Sequence, residues 1–219
     1  MLRNNPLLLA PGLAAGLLVG LLKGFFFAPE YAVTDFFGVA DLLRRLFAFG
    51  ALNIVLTLLA VVATTSMAGR VWDEGYATVE DALQIFREEN NPLYLSLGQI
   101  LGLLVVALLL IIPTGGLSIV AAAFFLMYAV ASAVIGREPG FAAVRDSISI
   151  ATSHVGSTFL LLVAFCALLV LSAMIGFLFG GLWILGPLIT AVLHQLVTAY
   201  MTLVIAGEYI RSKRLSEIP

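Results

Sequence analysis

Long apolar stretches dominate this chain and constrain its fold more than any other feature. A helix that spans the ~30 Å hydrocarbon core of a bilayer needs ~20 mostly apolar residues, because its backbone groups must be satisfied within the segment. Six stretches meet this requirement: 7–28, 46–67, 93–112, 117–135, 155–179 and 182–207. The sequence therefore predicts an all-α, polytopic membrane protein with six transmembrane helices, forming a single integral membrane domain over residues 1–219.

The composition agrees with a membrane location. Of 219 residues, 62% are hydrophobic and 11% are charged, and the mean hydropathy is +1.11. A soluble domain has about half its residues apolar and about a quarter charged, and a chain this short could not bury the excess. A net charge of −2 offers no basic surface for nucleic acid, and the single cysteine, Cys166, excludes an internal disulfide framework. The lipid bilayer is therefore the first predicted partner.

The positions of lysine and arginine predict the orientation. With a cytoplasmic N-terminus, eight basic residues fall on the cytoplasmic side: Arg3, Arg70, Arg87, Arg137, Arg145, Arg211, Lys213 and Arg214. Only Lys23, Arg44 and Arg45 fall on the outer side. The positive-inside rule then favours an orientation with both termini in the cytoplasm, as an even number of spans requires.

Three connecting segments have the residue spacing of short amphipathic helices in the membrane interface: 34–47, 79–88 and 141–152. Thr78 and Asp81 form a capping-box pattern at the start of the second segment. In the third, Asp146 falls on the polar side, and the apolar side contains Phe141, Val144, Ile148 and Ala151. We expect these segments to be elbows that complete the spanning helices, and a partner-docking or lipid-sensing surface is the alternative.

Glycines recur every four residues along the first predicted span, at Gly12, Gly16, Gly20 and Gly24. Small residues at this spacing let a second helix approach closely, and van der Waals contact then drives association within lipid. Shorter versions occur at Gly98 and Gly102 and at Gly176 and Gly180. The pattern predicts helix packing within the bundle, or docking of the first helix onto a second copy or another membrane subunit.

The sixth span carries the candidate intramembrane polar site, because polar groups are costly there and often functional. Thr190, His194 and Thr198 step by four residues along one face, and Gln195 lies beside them. A histidine at mid-span can relay a proton, ligate a pigment or haem, or hydrogen-bond across helices. No aspartate or glutamate lies in any of the six stretches, so a proton path is disfavoured. Structural hydrogen bonding is the preferred interpretation.

One pattern would point to an enzyme. Gly116-Leu117-Ser118 and His194 stand where intramembrane serine proteases of the rhomboid type carry their catalytic residues. Ser118 lies at the start of its span, however, and His194 about twelve residues into its own, or ~18 Å deep. A nucleophile and its base must be within ~3 Å. Because phosphate-loop, zinc-protease and dinucleotide motifs are also missing from the sequence, we predict no catalytic residues, no metal and no cofactor.

Two short motifs carry a family resemblance. The first, 140–149, contains an Ala-x-x-x-Ser elbow at Ala143 and Ser147, and the second is Glu208-Tyr209-Ile210-Arg211. Over about residues 75–212 the chain resembles prokaryotic multi-pass proteins similar to the membrane domain of glycerophosphodiester phosphodiesterases. The resemblance implies a six-helix bundle with interfacial elbows, in the cytoplasmic (inner) membrane of a prokaryote with both termini in the cytoplasm. It implies no phosphodiesterase activity, because catalysis in that family belongs to a separate soluble barrel.

These observations together favour a non-catalytic accessory or scaffold subunit that binds other membrane proteins or a second copy of itself. The alternative from another functional class is a small transporter, channel or lipid-handling protein that uses the polar face of the sixth span.

Overall fold

The computed structural model describes residues 5–26, 36–87, 93–179, 182 and 185–216. Within these ranges the chain is helical and contains no β-strand. A 3₁₀ turn at Pro6–Leu9 is followed by α1 (Ala10–Phe26), α2 (Phe36–Glu74), α3 (Val79–Arg87), α4 (Leu93–Leu109), α5 (Leu117–Phe125), α6 (Ala129–Val134), α7 (Phe141–Ser153), α8 (Val155–Leu178) and α9 (Leu185–Ser216).

Five helical segments are long and apolar enough to cross a membrane: Pro6–Lys23, Arg44–Glu74, Leu117–Val134, Val155–Leu178 and Leu185–Arg214. The prediction of an all-helical, apolar membrane protein is thus confirmed at this level. The third predicted span, 93–112, is regular helix only over the 17 residues Leu93–Leu109. This helix is shorter than the ~20 residues that a full crossing needs, so the number six stays a prediction.

The elbow predicted at 34–47 is not a separate helix, and that prediction is wrong for its described part. Residues Phe36–Glu74 form one continuous helix of 39 residues, which is ~58 Å long at 1.5 Å per residue. No proline interrupts this stretch. Near its N-terminal end Asp41 forms ion pairs with Arg44 (2.7 Å) and Arg45 (2.6 Å), which are three and four residues further along the helix. Such pairs stabilise an exposed turn of helix.

The helices α1, α2 and α8 pack around α9. The start of the described chain lies at the same end of the bundle as the end of α9. Asn5 donates a hydrogen bond from Nδ2 to the carbonyl of Gly75 (3.2 Å), just beyond α2. At this end, Leu8 is fully buried in a cluster with Met67 and Val71. We call it the charged end, because Arg70, Arg137, Lys213 and Arg214 line its cavities.

The predicted fourth span is broken at Leu126–Tyr128, between α5 and α6. Ser147 of α7 compensates for the break. Its hydroxyl donates to the carbonyl of Phe125 (2.7 Å) and accepts the backbone N–H of Tyr128 (3.1 Å). A helix break buried in apolar surroundings needs such partners, because unpaired backbone groups are costly there. The elbow α7 is therefore fixed to the break by one side chain.

The other two predicted elbows form as helices, α3 and α7. The capping box at Thr78 and Asp81 is confirmed, because each backbone N–H bonds to the other side chain (2.7 and 3.3 Å). In α7, Val144 and Ala151 are buried, whereas Phe141 and Ile148 are exposed. The helix packs against α4, α5 and α6, which turns Ser147 inward.

Candidate functional site

The glycines of α1 are covered by α9. A β-carbon added to Gly12 would lie 2.6 Å from Cβ of Ala199, and one added to Gly16 would lie 2.7 Å from Cα of Val192. Gly20 faces Leu188 in the same way, at 2.7 Å from its Cδ1. These distances leave room for hydrogen only. The glycines therefore pack α1 against α9 within the chain, and their surface is not free for a second protein.

The other predicted glycine pairs fall into two groups. Gly176 of α8 is covered by Thr190 of α9, whose Cγ2 would lie 2.6 Å from an added β-carbon. Gly98 and Gly102 of α4 have no atom within 4 Å of such a carbon. The surroundings of Gly24 and of Gly180 lie outside the described residues. Among the described pairs, the one on α4 is thus open.

The polar residues of α9 do not assemble into one site. Gln195 is 2% exposed and points towards α1 and α2, and its Nε2 donates to Oγ1 of Thr57 (2.6 Å). Thr190 packs on α8, and its hydroxyl donates to the carbonyl of Gly186 (2.8 Å). Thr198 donates to the carbonyl of His194 (2.9 Å). The polar side chains predicted to share one face of the sixth span therefore pack against α1, α2 and α8 or bond to the backbone of α9.

His194 is the exception, because its side chain is exposed. Within the described residues no hydrogen bond involves its imidazole ring. Ile205 lies eleven residues further along α9, which is three helical turns and the same side of the helix. There Ile205 packs against the cluster of Tyr128 and Ala131, at the start of α6. The side of α9 that α6 covers at Ile205 is therefore open at His194.

A second polar centre, which we call the Asp146 node, was missed by the sequence analysis. The carboxylate of Asp146 in α7 accepts hydrogen bonds from the Ser132 hydroxyl (2.7 Å), the Tyr209 hydroxyl (3.2 Å) and the Lys213 ammonium group (2.7 Å). These partners come from α6 and α9. The only sequence signal was that Asp146 and Tyr209 belong to the two motifs of the family resemblance, which meet here in space.

Several cavities open at the charged end, and two of them adjoin α2. One of ~370 Å³ lies between α2, the α6–α7 connection and α9, and its polar lining includes Trp72, Asp73, Glu138, Lys213 and Arg214. The guanidinium group of Arg214 lies over the Trp72 ring, 5.1 Å from its centre. A smaller cavity of ~210 Å³ lies between α2, α3 and the same connection. Both mix cations with carboxylates, so neither has the charge of a dedicated anion or cation site.

Asp81 lines the smaller cavity, and its surroundings lower its pKa. The hydrogen bond from the Thr78 backbone N–H holds the pKa of Asp81 below its ordinary value of 3.8, and the Thr78 hydroxyl acts in the same direction. Asp81 is therefore ionised at neutral pH. Its charge caps the start of α3 and lies 3.9 Å from Arg70.

The hydroxyl of Ser118, the other half of the protease-like pattern, is engaged in the α4–α5 turn. Ser118 donates to the carbonyl of Ala107 (2.8 Å), and it accepts a hydrogen bond from Thr114 (3.0 Å). Across the described ranges, no group of three or more His, Cys, Asp or Glu side chains could hold a metal ion.

Comparisons with protein-family models, with curated proteins and with solved structures gave no match. The family resemblance therefore stays a prediction, and any function has to be argued from the geometry above.

Proposed function

We propose that this protein is a non-catalytic accessory or scaffold subunit of a membrane complex, and that its partner is a transmembrane helix that contacts α9 at His194. The observation that carries the proposal is the exposed imidazole in an apolar span, with no hydrogen bond to it from the described chain. Polar residues in membrane helices usually face a protein neighbour or a water-filled cavity. A partner helix would supply the neighbour that His194 lacks.

The depth of His194 supports this proposal. The residue lies fifteen positions before Tyr209 of the Asp146 node, which is ~22 Å along the helix. A histidine side chain is too short to reach either membrane surface from there, unlike a lysine near a helix end. A facing Ser, Thr, Asn or Gln side chain would satisfy the ring and contribute ~1 kcal/mol. The partner is therefore expected to carry one of these residues opposite His194.

The glycines of α1 do not serve this purpose, because α9 already covers Gly12, Gly16 and Gly20. This moves the proposed docking surface from α1 to the open side of α9. The location that we propose is the cytoplasmic membrane of a prokaryote, with the charged end in the cytoplasm. The cluster of arginine and lysine side chains at that end supports this orientation under the positive-inside rule.

Site-specific photocrosslinking in native membranes tests the proposal. A photoreactive amino acid at position 194 should give one discrete adduct with a membrane protein, identified by mass spectrometry. The same label at Tyr200, which is also exposed on α9 but on another side, is the matched control. We expect no such adduct from position 200.

The adduct's partner should then co-purify stoichiometrically with the wild-type protein in mild detergent. His194→Leu should reduce that recovery at least fivefold, His194→Asn should restore most of it, and Tyr200→Leu should leave it unchanged. Undiminished recovery with His194→Leu would refute docking at this residue. A partner-free protein that moves a lipid or solute across liposomes, and does so more slowly as His194→Ala, would replace our proposal with the transport alternative.

A further inference from the structure

The tip of the α4–α5 hairpin exposes apolar side chains. Ile112 is 89% exposed, Leu109 74% and Leu117 71%. Residues 107–117 contain no charged side chain, and the hydroxyls of Thr114 and Ser118 at the tip are bound to carbonyls of Leu110 and Ala107 (2.6 and 2.8 Å). A turn in water normally presents polar side chains to the solvent. This turn instead exposes apolar side chains.

The backbone of the same turn is bonded within the turn. The N–H groups of Thr114, Gly115 and Gly116 donate to the carbonyls of Leu110, Ile112 and Ile111, at 3.1, 3.3 and 2.8 Å. Gly115 and Gly116 have φ of +58° and +88°, a conformation that side chains disfavour, and it lets both N–H groups turn back onto the residues that follow α4. The N–H of Ser118 donates to Oγ1 of Thr114 (3.2 Å). A backbone in lipid requires such hydrogen bonds within the protein, because no water is present to pair with its N–H and C=O groups.

The hairpin is also too short to reach the outer end of α2. Gly69 of α2 and Ile135, just after α6, lie at one level, because a β-carbon on Gly69 would be 3.4 Å from Cγ1 of Ile135. From Gly69 to Arg44 the helix extends for ~37 Å. From Ile135 back to Leu117 the chain extends for ~27 Å at the rise of an α-helix. For helices that run parallel, Leu117 at the base of the tip thus lies ~10 Å below the level of Arg44.

From these three observations we infer that α4 and α5–α6 form a re-entrant hairpin, which enters and leaves the bilayer on the same side. Its apolar tip contacts the acyl chains of the lipid and does not reach water. The described chain then crosses the membrane four times, through α1, α2, α8 and α9. Both described ends stay on one side of the membrane, as the contacts at the charged end require. The inference is independent of any partner at His194.

Spin labels at single cysteines test this arrangement in the reconstituted full-length protein. Cys166 is replaced by serine, and a label is placed at Ile112→Cys or Leu117→Cys. Controls are Arg44→Cys, whose native side chain is 80% exposed at the outer end of α2, and Glu80→Cys, exposed on α3. Collision rates with oxygen, which concentrates in lipid, and with a neutral nickel chelate, which stays in water, report the depth of each label.

We expect the labels at 112 and 117 to collide at least threefold more with oxygen than with the nickel chelate. The labels at 44 and 80 should show the reverse order. Both variants at the tip should keep the wild-type helix content, because neither native side chain is buried. Nickel accessibility at 112 and 117 equal to that at 44 would overturn the inference and show that the hairpin crosses the membrane fully.

Discussion

The ammonium group of Lys213 lies 2.7 Å from the carboxylate of Asp146, which joins the end of α9 to an elbow 67 residues earlier in the chain. The same carboxylate also accepts hydrogen bonds from Ser132 and Tyr209. One side chain thus holds α6, α7 and α9 together at the charged end. This node fixes the connection between the α4–α6 half of the chain and the α8–α9 pair.

Replacing Asp146 with alanine should destabilise the protein by about 2–3 kcal/mol. The change leaves Lys213, Ser132 and Tyr209 without their shared acceptor, and hydrogen bonds to a charged group contribute about 1.5–3 kcal/mol. The free energy of unfolding in detergent is the measurement. Arg145→Ala is the control, because Arg145 is the exposed neighbour on the same helix. Equal stability of the two variants would show that the node is dispensable.

Ser147→Ala should lower the free energy of unfolding by about 1–3 kcal/mol. The change leaves the carbonyl of Phe125 and the N–H of Tyr128 unpaired at a buried helix break. Hydrogen exchange at Tyr128 should rise with it, while exchange in α8 stays unchanged. Ser149→Ala, an exposed position on the same helix, serves as the comparison. If the N–H of Tyr128 remained as protected as in the wild type, another group would have to accept its hydrogen bond.

Gly16→Ala should lower the free energy of unfolding by about 1–3 kcal/mol, the usual effect of overpacking. The added methyl group would lie 2.7 Å from Cα of Val192, so α1 and α9 would have to separate. Gly98→Ala has no atom within 4 Å of the new carbon and should leave the stability near the wild-type value. An equal effect of both changes would contradict the packing of α1 on α9.

The start of α3 should lose stability in acid. Because hydrogen bonding to Thr78 lowers the pKa of Asp81 below 3.8, the folded state favours the ionised carboxylate. Its contribution is therefore complete at pH values above 3.8 and is lost as the pH falls through the lowered pKa. Protection factors of the amides in α3, measured by hydrogen exchange between pH 6 and pH 2.5, should decrease over that range.

Asp81→Asn is the control for this pH dependence, because its amide does not titrate. The variant should show lower protection at pH 6 than the wild type and little further change in acid. A wild-type profile that stays flat down to pH 2.5 would show that the capping box does not depend on the charge of Asp81.

The sequence predicted what depends on local pattern. Apolar length located the long helices, and the Thr78–Asp81 spacing located the start of α3. The glycine spacing on α1 identified a helix-packing surface, although no local signal could say that α9 would be the neighbour. Composition and spacing therefore predict which segments are helical and which side of a helix is small enough to pack closely against another helix.

Features that depend on distant residues were not predictable in this way. The break at Leu126–Tyr128 lies in an unbroken apolar run, and it is stable because Ser147 arrives from another helix. The Asp146 node depends on Lys213, and Asp146 looked like an ordinary solvent-facing residue of an amphipathic elbow. The exposure of His194 depends on where α6 begins, because α6 packs near Ile205 and His194 lies three turns away along α9. In each case tertiary packing decided the environment of a residue that the local pattern left ambiguous.

The contact between Gly12 and Ala199 has a consequence for biosynthesis. The two helices that pack most closely are separated by about 180 residues, so at ~5–20 residues per second the ribosome needs roughly 10–40 s to deliver α9 after α1. During that interval the glycine surface of α1 is in the membrane without its eventual neighbour. The packing of α9 against α1 is therefore a late event in synthesis. A nascent chain that stalls before α9 would expose the glycine surface of α1 to the insertion and quality-control machinery.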